Sequence, residues 1–215
     1  MKINKLDFLI SFYIFAIVVA ELMGGKTFPI GKIGGFALNA SVAIFLIPLV
    51  YSINDIIVEV HGKEKARGVI RSGITMVFFL ILVTAFFTVL PPSTRFVPSE
   101  PAYDLIFKQS LRISAASLLA FAIADMLDLL IFVRLREALG KKVLWFRNNL
   151  SNIISLFFDT AIFITLAFYA LDRPFNDNLV FLAGIIIPYW LLKCFMSAIV
   201  TPFVYLGVKW LRKEE

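Results

Sequence analysis

The sequence has little of the charge that a soluble domain needs. Of its 215 residues, 17% are charged and 60% are hydrophobic, and the mean hydropathy is +0.88. Soluble domains usually carry about 25% charged residues. We therefore interpret the chain as an integral membrane protein, with residues 1–215 forming a single transmembrane domain.

Cysteine and histidine occur once each, as Cys194 and His61. One cysteine excludes a disulfide framework within the chain, and one histidine leaves no second histidine for a metal site. The sequence also lacks a Ser-His arrangement and a Walker motif. We expect no enzyme activity, no metal and no cofactor, and any use of ATP must come from another chain.

The net charge is +6, which in a soluble protein would suggest nucleic acid as a partner. Here the basic residues cluster at the ends of apolar runs, where they indicate orientation in a membrane. We therefore expect the lipid bilayer as a partner and no nucleic acid. The first apolar run precedes Glu21 and Lys26 and no small-residue cleavage pattern, so the first helix is expected to be kept.

Apolar runs of about 20 residues, long enough to cross a bilayer, occur six times. They are Leu6–Met23, Ala37–Val60, Val69–Leu90, Leu111–Val133, Ile153–Leu171 and Leu179–Leu211. In the last run, Pro188 and Pro202 either kink the helix or mark its ends. The predicted fold class is all-α, a polytopic membrane protein with six transmembrane helices.

The basic residues predict the orientation of these helices. Of the 21 lysines and arginines, fourteen lie at the chain ends and after the second and fourth helices, and six lie on the opposite side. The positive-inside rule then places both termini in the cytoplasm. On the other side, residues 24–35 read as a structured loop and residues 91–104 as a solvated loop.

Carboxylates lie within the fourth predicted helix, where Asp125 and Asp128 share a face with Phe121 and Phe132. One acidic side chain near the bilayer centre costs about 3 kcal/mol. That face is therefore expected to meet a protein interior or a wet cavity.

Polar stripes also run along the last two predicted helices. The fifth carries Asn148, Asn152, Ser155, Asp159 and Phe163 at steps of three or four, and the sixth carries Tyr189, Lys193, Ser197 and Thr201. Three midspan acids therefore face one base, Lys193. The excess acid suggests a protonated carboxyl, a bound cation or a cationic ligand.

The second predicted helix carries Tyr51, Asp55 and Glu59 every four residues, with Asn54 beside them, and ends at His61-Gly62. These side chains either pair with Arg67, Arg71 or Arg136 or contact a ligand directly. In the first helix, Ala16 and Ala20 allow close approach of a neighbour. An internal contact is favoured there over a docking face for an ATP-driven partner.

Four stretches carry a family resemblance. They are NDIIVEVHGKEKAR (54–67), FAIADMLDLLIFVRLR (121–136), WFRNNLSNIISLFFDTAIF (145–163) and YWLLKCFMSAIVTP (189–202). With them the chain resembles the queuosine precursor transporter family, also described as vitamin-uptake-like transporters. The resemblance implies a six-helix inner-membrane importer of 7-deazaguanine bases. It also implies a fold similar to the substrate-binding subunits of energy-coupling-factor vitamin transporters.

The resemblance also implies site residues. The motif positions that match are Asn54, Asp55, Glu59, Asp128, Arg136, Arg147, Asn148, Ser151, Asp159 and Lys193. Asp125 stands where the family usually has Gln, Glu21 where Asn is common, and Asn152 and Leu156 where the family often has a Thr and a polar residue. The expected substrate site is Glu21, Phe121, Asp125, Asp128, Asn148, Asn152, Ser155, Asp159, Tyr189 and Lys193. Structural or gating ion pairs are expected at Asn54, Asp55, Glu59, Arg67, Arg136 and Arg147.

The expected function is import of a deazapurine base such as 7-aminomethyl-7-deazaguanine or 7-cyano-7-deazaguanine, coupled to protons. One carboxylate can accept adjacent N–H groups of a guanine-like edge, and an aminomethyl cation would match the surplus acid. The alternative is a substrate-binding subunit that needs an ATP-driven coupling module. A homo-oligomer is a further possible partner arrangement.

Overall fold

The described part of the chain is folded mainly into α-helices, with a short pair of strands near its start. The computed structural model describes the backbone of residues 4–33, 36–139 and 144–212, and their side chains except at 33, 36–37, 47, 63, 125–126, 128–133, 135–139, 144–152 and 196–203. In chain order the elements are α1 (Lys5–Met23), β1 (Thr27–Ile33), β2 (Phe36–Ser41), α2 (Ile47–Phe87), α3 (Glu100–Leu139), α4 (Leu144–Phe168) and α5 (Phe175–Arg212).

Within the described residues, five helical segments are long and apolar enough to cross a bilayer. They are Lys5–Met23, Val42–Gly62, Glu64–Phe87, Val97–Ala124 and Phe175–Phe195, and α4 adds a shorter apolar stretch, Ile153–Phe168. The predicted all-α, multi-pass membrane protein is confirmed. Six crossings and cytoplasmic termini stay predictions.

The helix α2 changes direction at Gly62, where φ is +81° and ψ is 170°. This backbone region is essentially restricted to glycine. Ile57 before the turn and Val69 after it belong to one hydrophobic cluster with Leu9 of α1. The two halves of α2 therefore lie side by side, and the predicted end of the second helix at Gly62 is confirmed.

The connection after α1 is a β-hairpin, formed by pairing of β1 with β2. The prediction that the second helix begins at Ala37 is therefore wrong, because residues 37–41 form a strand. Ser41 ends this strand: its Oγ donates to the Gly24 carbonyl at 2.6 Å and accepts from the Ala43 N–H at 3.2 Å. This capping starts a short 3-10 turn, Val42–Phe45, so α2 itself begins only at Ile47.

The helix α3 begins at Glu100, inside the stretch predicted as a solvated loop. Pro98 lies in a 3-10 turn, Val97–Ser99, and Pro101 lies in the first turn of α3. Proline is tolerated there because its missing N–H would have no intrahelical acceptor. Glu100 adds a carboxylate at the positive end of the helix dipole. The prolines therefore start the helix instead of excluding it.

The prolines of α5 do not end that helix either. It runs from Phe175 to Arg212 through both Pro188 and Pro202, and so extends beyond the predicted span. An internal proline removes one backbone hydrogen bond, which membrane helices tolerate when neighbouring groups satisfy the freed carbonyl.

The chain divides into two compact units. The first comprises residues 1–28, 41–114 and 195–215, and the second comprises residues 29–40 and 115–194. The core of the first unit joins α1, both halves of α2 and the end of α5 through Leu9, Tyr13, Ile53, Ile56, Ile57, Ala66, Val69, Val208 and Leu211.

Small residues allow close packing in the first unit. A Cβ added to Gly73 would lie 3.0 Å from the Tyr13 ring, and a Cβ added to Gly207 would overlap Ile56. Ala16 is fully buried. Ala16 therefore makes an internal contact, as the sequence favours, whereas Ala20 is partly exposed.

The two chain ends meet in this unit. The Lys5 Nζ donates to the Trp210 carbonyl at 2.8 Å, and Arg212 forms an ion pair with Glu59 at 3.4 Å. The start of α1, the end of the first half of α2 and the end of α5 thus lie together.

We expect Gly62→Ala to lower the midpoint of thermal unfolding, because a residue with a Cβ is strained by about 1–3 kcal/mol in this region. The matched control is Gly68→Ala, since Gly68 also lies in α2 and an added Cβ there meets nothing within 4 Å. The control should be neutral or stabilising by about 0.5–1 kcal/mol. Thermal unfolding of both purified variants in one detergent makes the comparison. Equal midpoints would contradict the role given to Gly62.

Candidate functional site

The candidate site lies in the second unit, on the helical hairpin formed by α4 and the first part of α5. Asn178 fixes the connection between these helices. Its side chain accepts from the Ala170 N–H at 2.8 Å and donates to the carbonyls of Ala170, Arg173 and Pro174 at 2.8, 3.2 and 3.3 Å. Because Asn178 is buried, losing these bonds would leave backbone groups unsatisfied. The clamp therefore sets how α5 returns along α4.

Farther along the hairpin, the Lys193 Nζ donates to the Asp159 Oδ2 at 2.6 Å. The Lys193 side chain is 10% exposed and that of Asp159 is 26% exposed. A lysine at this position in an apolar helix needs a counter-charge, because stripping water from an unpaired ion costs several kcal/mol. The sequence predicts Lys193 as the base available to the midspan acids, and the structure pairs it with Asp159.

Other polar side chains flank this ion pair on the two helices. Ser155 lies one turn before Asp159 on α4, and Tyr189 lies one turn before Lys193 on α5; both are buried. The structure therefore places four of the predicted substrate-site residues on one hairpin. Asn148 and Asn152 also lie on α4, but their side chains are outside the described residues.

Aromatic side chains lie beside the same helices. The Trp190 Nε1 donates to the Ile153 carbonyl at 3.1 Å, and the Phe157 and Trp190 rings meet edge to face with centroids 5.5 Å apart. The indole N–H is therefore already used within the protein. Its ring is held in a fixed orientation, as a stacking surface requires.

The sequence does not single out Thr160 or Asn178, and the structure makes both of them notable. Thr160 is fully buried, and its Oγ1 has no hydrogen-bond partner among the described residues. A threonine in an apolar helix gives no sequence signal of this. Asn178 lies in the first turn of α5, four residues after Pro174, so the usual signal of a helix start could have identified it.

Other predicted site residues lie elsewhere. Glu21 is buried near the end of α1, in the first unit. Phe121 is 45% exposed on α3, so its ring is not enclosed by the described residues, and a protein interior or a wet cavity at this face stays a prediction. An exposed apolar ring of a membrane helix can face lipid without cost, which the spacing to Asp125 and Asp128 cannot reveal. The side chains of those two acids are outside the described residues.

The predicted ion pairs form with other partners. Glu59 pairs with Arg212 at 3.4 Å, and Arg67 pairs with Glu64, three residues away, at 2.7 Å. The partners expected from the sequence were Arg67, Arg71 or Arg136 for the acids of the second helix. The turn at Gly62 and the close approach of the end of α5 explain the difference. The side chains of Arg136 and Arg147 are outside the described residues.

The remaining residues of this group have different surroundings. Asn54 lies beside Tyr13 of α1, its Oδ1 is buried without a hydrogen-bond partner among the described residues, and Asp55 is exposed. Among the side chains that the structure describes, no three His, Cys, Asp or Glu residues lie close enough to hold a metal ion.

Comparison with known proteins gives the family. Residues 41–207 match the family model described as "Putative vitamin uptake transporter". The chain belongs to the vitamin uptake transporter family. The matched region of this transporter contains the Lys193–Asp159 pair, the Asn178 clamp and the turn at Gly62.

Two relatives of the transporter carry the name "Probable queuosine precursor transporter". The one from Bacillus subtilis (strain 168) is 29% identical over 202 residues, covering 94% of this chain and 83% of that protein. The one from Haemophilus influenzae (strain ATCC 51907 / DSM 11121 / KW20 / Rd) is 27% identical over 152 residues, covering 70% of this chain and 61% of that protein. The resemblance carried by the sequence motifs is confirmed. No solved structure matches the transporter.

The ion pair of the transporter is tested by a double-mutant cycle with Lys193→Met and Asp159→Asn. We expect Lys193→Met to destabilise the protein by about 3 kcal/mol, because it leaves a partly buried acid without its partner. Adding Asp159→Asn should restore part of that loss. Thermal or denaturant unfolding in detergent gives the coupling free energy.

The matched control is the Lys108–Asp104 pair, which has the same 2.6 Å distance and the same 26% exposure of the aspartate, but a lysine that is 62% exposed. Exposed pairs of this kind are worth about 0.2–1 kcal/mol. A coupling free energy for Lys193–Asp159 no larger than that of the control would contradict a buried ion pair.

Proposed function

We propose that the protein imports queuosine precursors, the 7-deazaguanine bases, across the cell membrane. The observation that carries this proposal is the Bacillus subtilis relative, which aligns over 94% of this chain and is named as a transporter of such precursors. The family match over residues 41–207 supports the transport class independently. We infer that the substrate binds at the hairpin of α4 and α5.

The chemistry of the hairpin suits a guanine-like base. Lys193 bonds to one oxygen of Asp159, Oδ2, and a carboxylate has a second oxygen that can accept an N–H of the base. Ser155 adds a hydroxyl on the same side of α4 as Asp159. The Trp190 ring, oriented by Phe157 and Ile153, offers a flat apolar surface. Pockets for small ligands typically combine these elements, an apolar surface and a few fixed polar groups.

We further propose that the transport is coupled to protons. The sequence places three midspan acids, Asp125, Asp128 and Asp159, against the midspan base Lys193, so the acids exceed the base by two. A carboxyl without a compensating base inside a membrane protein favours its neutral form. Such a carboxyl can carry a proton inward, or it can release the proton and bind a cationic substrate instead. These two roles are assigned to Asp128 and Asp125 respectively.

The alternative function is a substrate-binding subunit driven by a separate ATP-hydrolysing module. Docking through Ala16 and Ala20 would support it; Ala16 is fully buried in the first unit, and Ala20 is partly exposed. The proposal of a secondary transporter therefore needs fewer rearrangements of the described structure.

Substrate binding is tested by thermal unfolding of the purified protein with 7-aminomethyl-7-deazaguanine, 7-cyano-7-deazaguanine, guanine and riboflavin. We expect both deazaguanines to raise the midpoint, because a ligand at 100 times its Kd stabilises the folded state by about 2.7 kcal/mol. Asp125→Gln should weaken binding of the amine more than of the nitrile, since the amine alone carries a positive charge.

The control variant for this experiment is Asp104→Asn, which removes a carboxylate of the surface pair and should leave both affinities unchanged. Stabilisation by riboflavin alone would contradict the proposed substrate class. Equal losses for amine and nitrile in Asp125→Gln would remove that residue from substrate selection.

Coupling is tested by uptake of a labelled deazaguanine into proteoliposomes that contain this protein alone. We expect accumulation above the external concentration only when an inward proton gradient is imposed. Asp128→Asn, which cannot titrate, should equilibrate the substrate without accumulating it. If the wild-type protein binds the base but transports none in either condition, the ATP-driven alternative replaces the proton-coupled one.

A further inference from the structure

The connection from α2 to α3 carries apolar side chains where the sequence predicts a solvated loop. We call residues 86–106 the projecting segment; it comprises the end of α2, the connection and the start of α3. Its exposed large apolar residues are Phe86, Phe87, Val89, Leu90, Phe96, Val97, Leu105 and Ile106. None of them belongs to the proposed substrate site. Apolar surface of this extent is rare on a part of a protein that faces water.

The end of α2 extends farther than the end of α1. These two helices lie side by side and both lead away from the meeting point of the chain ends, since a Cβ added to Gly73 would lie 3.0 Å from the Tyr13 ring and 3.1 Å from the Ile17 side chain. From Ile17 to its end at Met23, α1 rises about 9 Å. From Gly73 to Phe87, α2 rises about 21 Å. The end of α2 therefore lies about 10 Å beyond that of α1.

The start of α3 extends beyond α1 as well. The Ser110 Oγ donates to the Leu22 carbonyl, in the last turn of α1, at 2.7 Å. Between Ser110 and the beginning of α3 at Glu100 the helix rises about 15 Å. Tight turns near Ser93 and Phe96 lead from α2 into α3. The first turns of α3 therefore lie on the same side as the end of α2, past the end of α1.

The exposed apolar side chains do not form one narrow stripe. Phe86 and Phe87 are adjacent in α2, and Leu105 and Ile106 are adjacent in α3, so the members of each pair point about 100° apart. Val89 of the connection is 82% exposed. A protein partner would cover one side of such a surface, whereas lipid covers every side. The membrane-crossing stretch Glu64–Phe87 also runs into the projecting segment without a polar break.

Polar and aromatic groups of the segment follow the order expected at a membrane boundary. Residues 91–95, the Pro-Pro-Ser-Thr-Arg tip, are all exposed. Behind the tip, the Phe96 ring meets the Tyr103 ring edge to face at 5.6 Å, and Tyr103 lies 4.4 Å from Phe107. Aromatic residues, tyrosine among them, are typical of the level of the lipid headgroups.

The charges in and beside the segment offset one another. The Lys108 Nζ donates to the Asp104 Oδ2 at 2.6 Å, and Arg95 and Glu100 add one base and one acid. A surface without net charge gives no advantage to an anionic or a cationic partner. Its apolar side chains are therefore what a partner has to match.

We propose that the projecting segment is embedded in the lipid of the adjoining leaflet, with its tip, residues 91–95, in water. The headgroup region on each side of a bilayer is about 5–8 Å thick. The segment extends about 10–15 Å beyond α1, which is more than that thickness. The leaflet beside the segment is therefore raised relative to the leaflet beside α1, the usual response to apolar stretches of unequal reach. This inference does not depend on the transported substrate.

The test measures the depth of single spin labels in phosphatidylcholine proteoliposomes of the full-length protein, in a Cys194→Ser background. The labels are attached at Val89→Cys and Leu105→Cys. Oxygen concentrates in lipid and a water-soluble nickel chelate stays outside it, so the ratio of their collision rates with a label rises with depth. We expect this ratio to be severalfold higher at both positions than at Ser93→Cys, the matched control at the tip. Phe79→Cys, half exposed within the membrane-crossing stretch, gives the value for a label in hydrocarbon.

A label at Met23→Cys tests the raised leaflet. Met23 is 63% exposed at the end of α1, and Leu105 lies about 8 Å farther from the chain ends, because five residues of helix separate it from Ser110. In a flat bilayer the Met23 label would be deeper by that distance. We expect the labels at the two positions to be about equally deep.

Three results would overturn the proposal. One is a collision ratio at Val89→Cys and Leu105→Cys as low as that at Ser93→Cys, which would place the whole segment in water. Another is a low collision rate with both reagents, which would show that a protein, such as a second copy of the chain, covers the segment. The last is a Met23 label deeper than the Leu105 label by the full distance, which would mean that the segment leaves a flat bilayer.

Discussion

The charge of Lys193 inside an apolar helix is the constraint on which the second unit depends. An ammonium group at this depth must meet an anion or lie close to water. Asp159 supplies the anion from α4 at 2.6 Å, and the Asn178 clamp at the other end of the hairpin brings the two helices back along each other. Two polar contacts therefore fix both the separation and the register of α4 and α5. The apolar residues between them, such as Ile164 and Ile185, are fully buried.

Hydroxyl side chains in the other helices show that a polar residue in an apolar helix does not by itself indicate a substrate site. Serine and threonine side chains often donate to the carbonyl four residues earlier, which satisfies the hydroxyl inside its own helix. Among the described residues that do so are Ser52, Ser72, Thr75 and Ser110 within helices and Thr88 at the end of α2. Ser110 also reaches the Leu22 carbonyl and so ties α3 to α1. Thr160 differs from them, since its Oγ1 lacks a partner in the described part of the chain.

The parts of the fold that follow from composition could be predicted. The long apolar runs predicted a membrane protein, and Gly62 predicted the end of the second helix. The count of midspan charges predicted that Lys193 pairs with a midspan acid. The hairpin of β1 and β2 could not be predicted, because Ala37, Leu38 and Ala40 join the apolar run of the helix that follows, and the Ser41 cap is what separates the two elements. The start of α3 was missed because proline was read as a loop residue, although the first turn of a helix accepts it.

The ion-pair partners of the surface charges could not be predicted from the sequence either. Several arginines are close enough to Glu59 in sequence to pair with it. The end of α5 packs beside Glu59, so Arg212 is the arginine that forms the pair. Exposed pairs contribute little free energy, so no strong sequence pattern is needed to specify them. Phe121 illustrates the same limit for apolar residues. Helical spacing gives the face on which a ring lies, but lipid and protein core are equally apolar surroundings for it.

The connections of the chain differ in how much change they can accept. In the Asn178 clamp, three carbonyls and one N–H of the turn between α4 and α5 converge on a single side chain. Residues 89–96, between α2 and α3, are all exposed and make their turn with local backbone bonds near Ser93. A rigid soluble domain inserted before Ser93 would leave the clamp and the ion pair intact. A chain of 24.3 kDa would thereby gain the mass and the external landmark that single-particle electron microscopy needs to align its images.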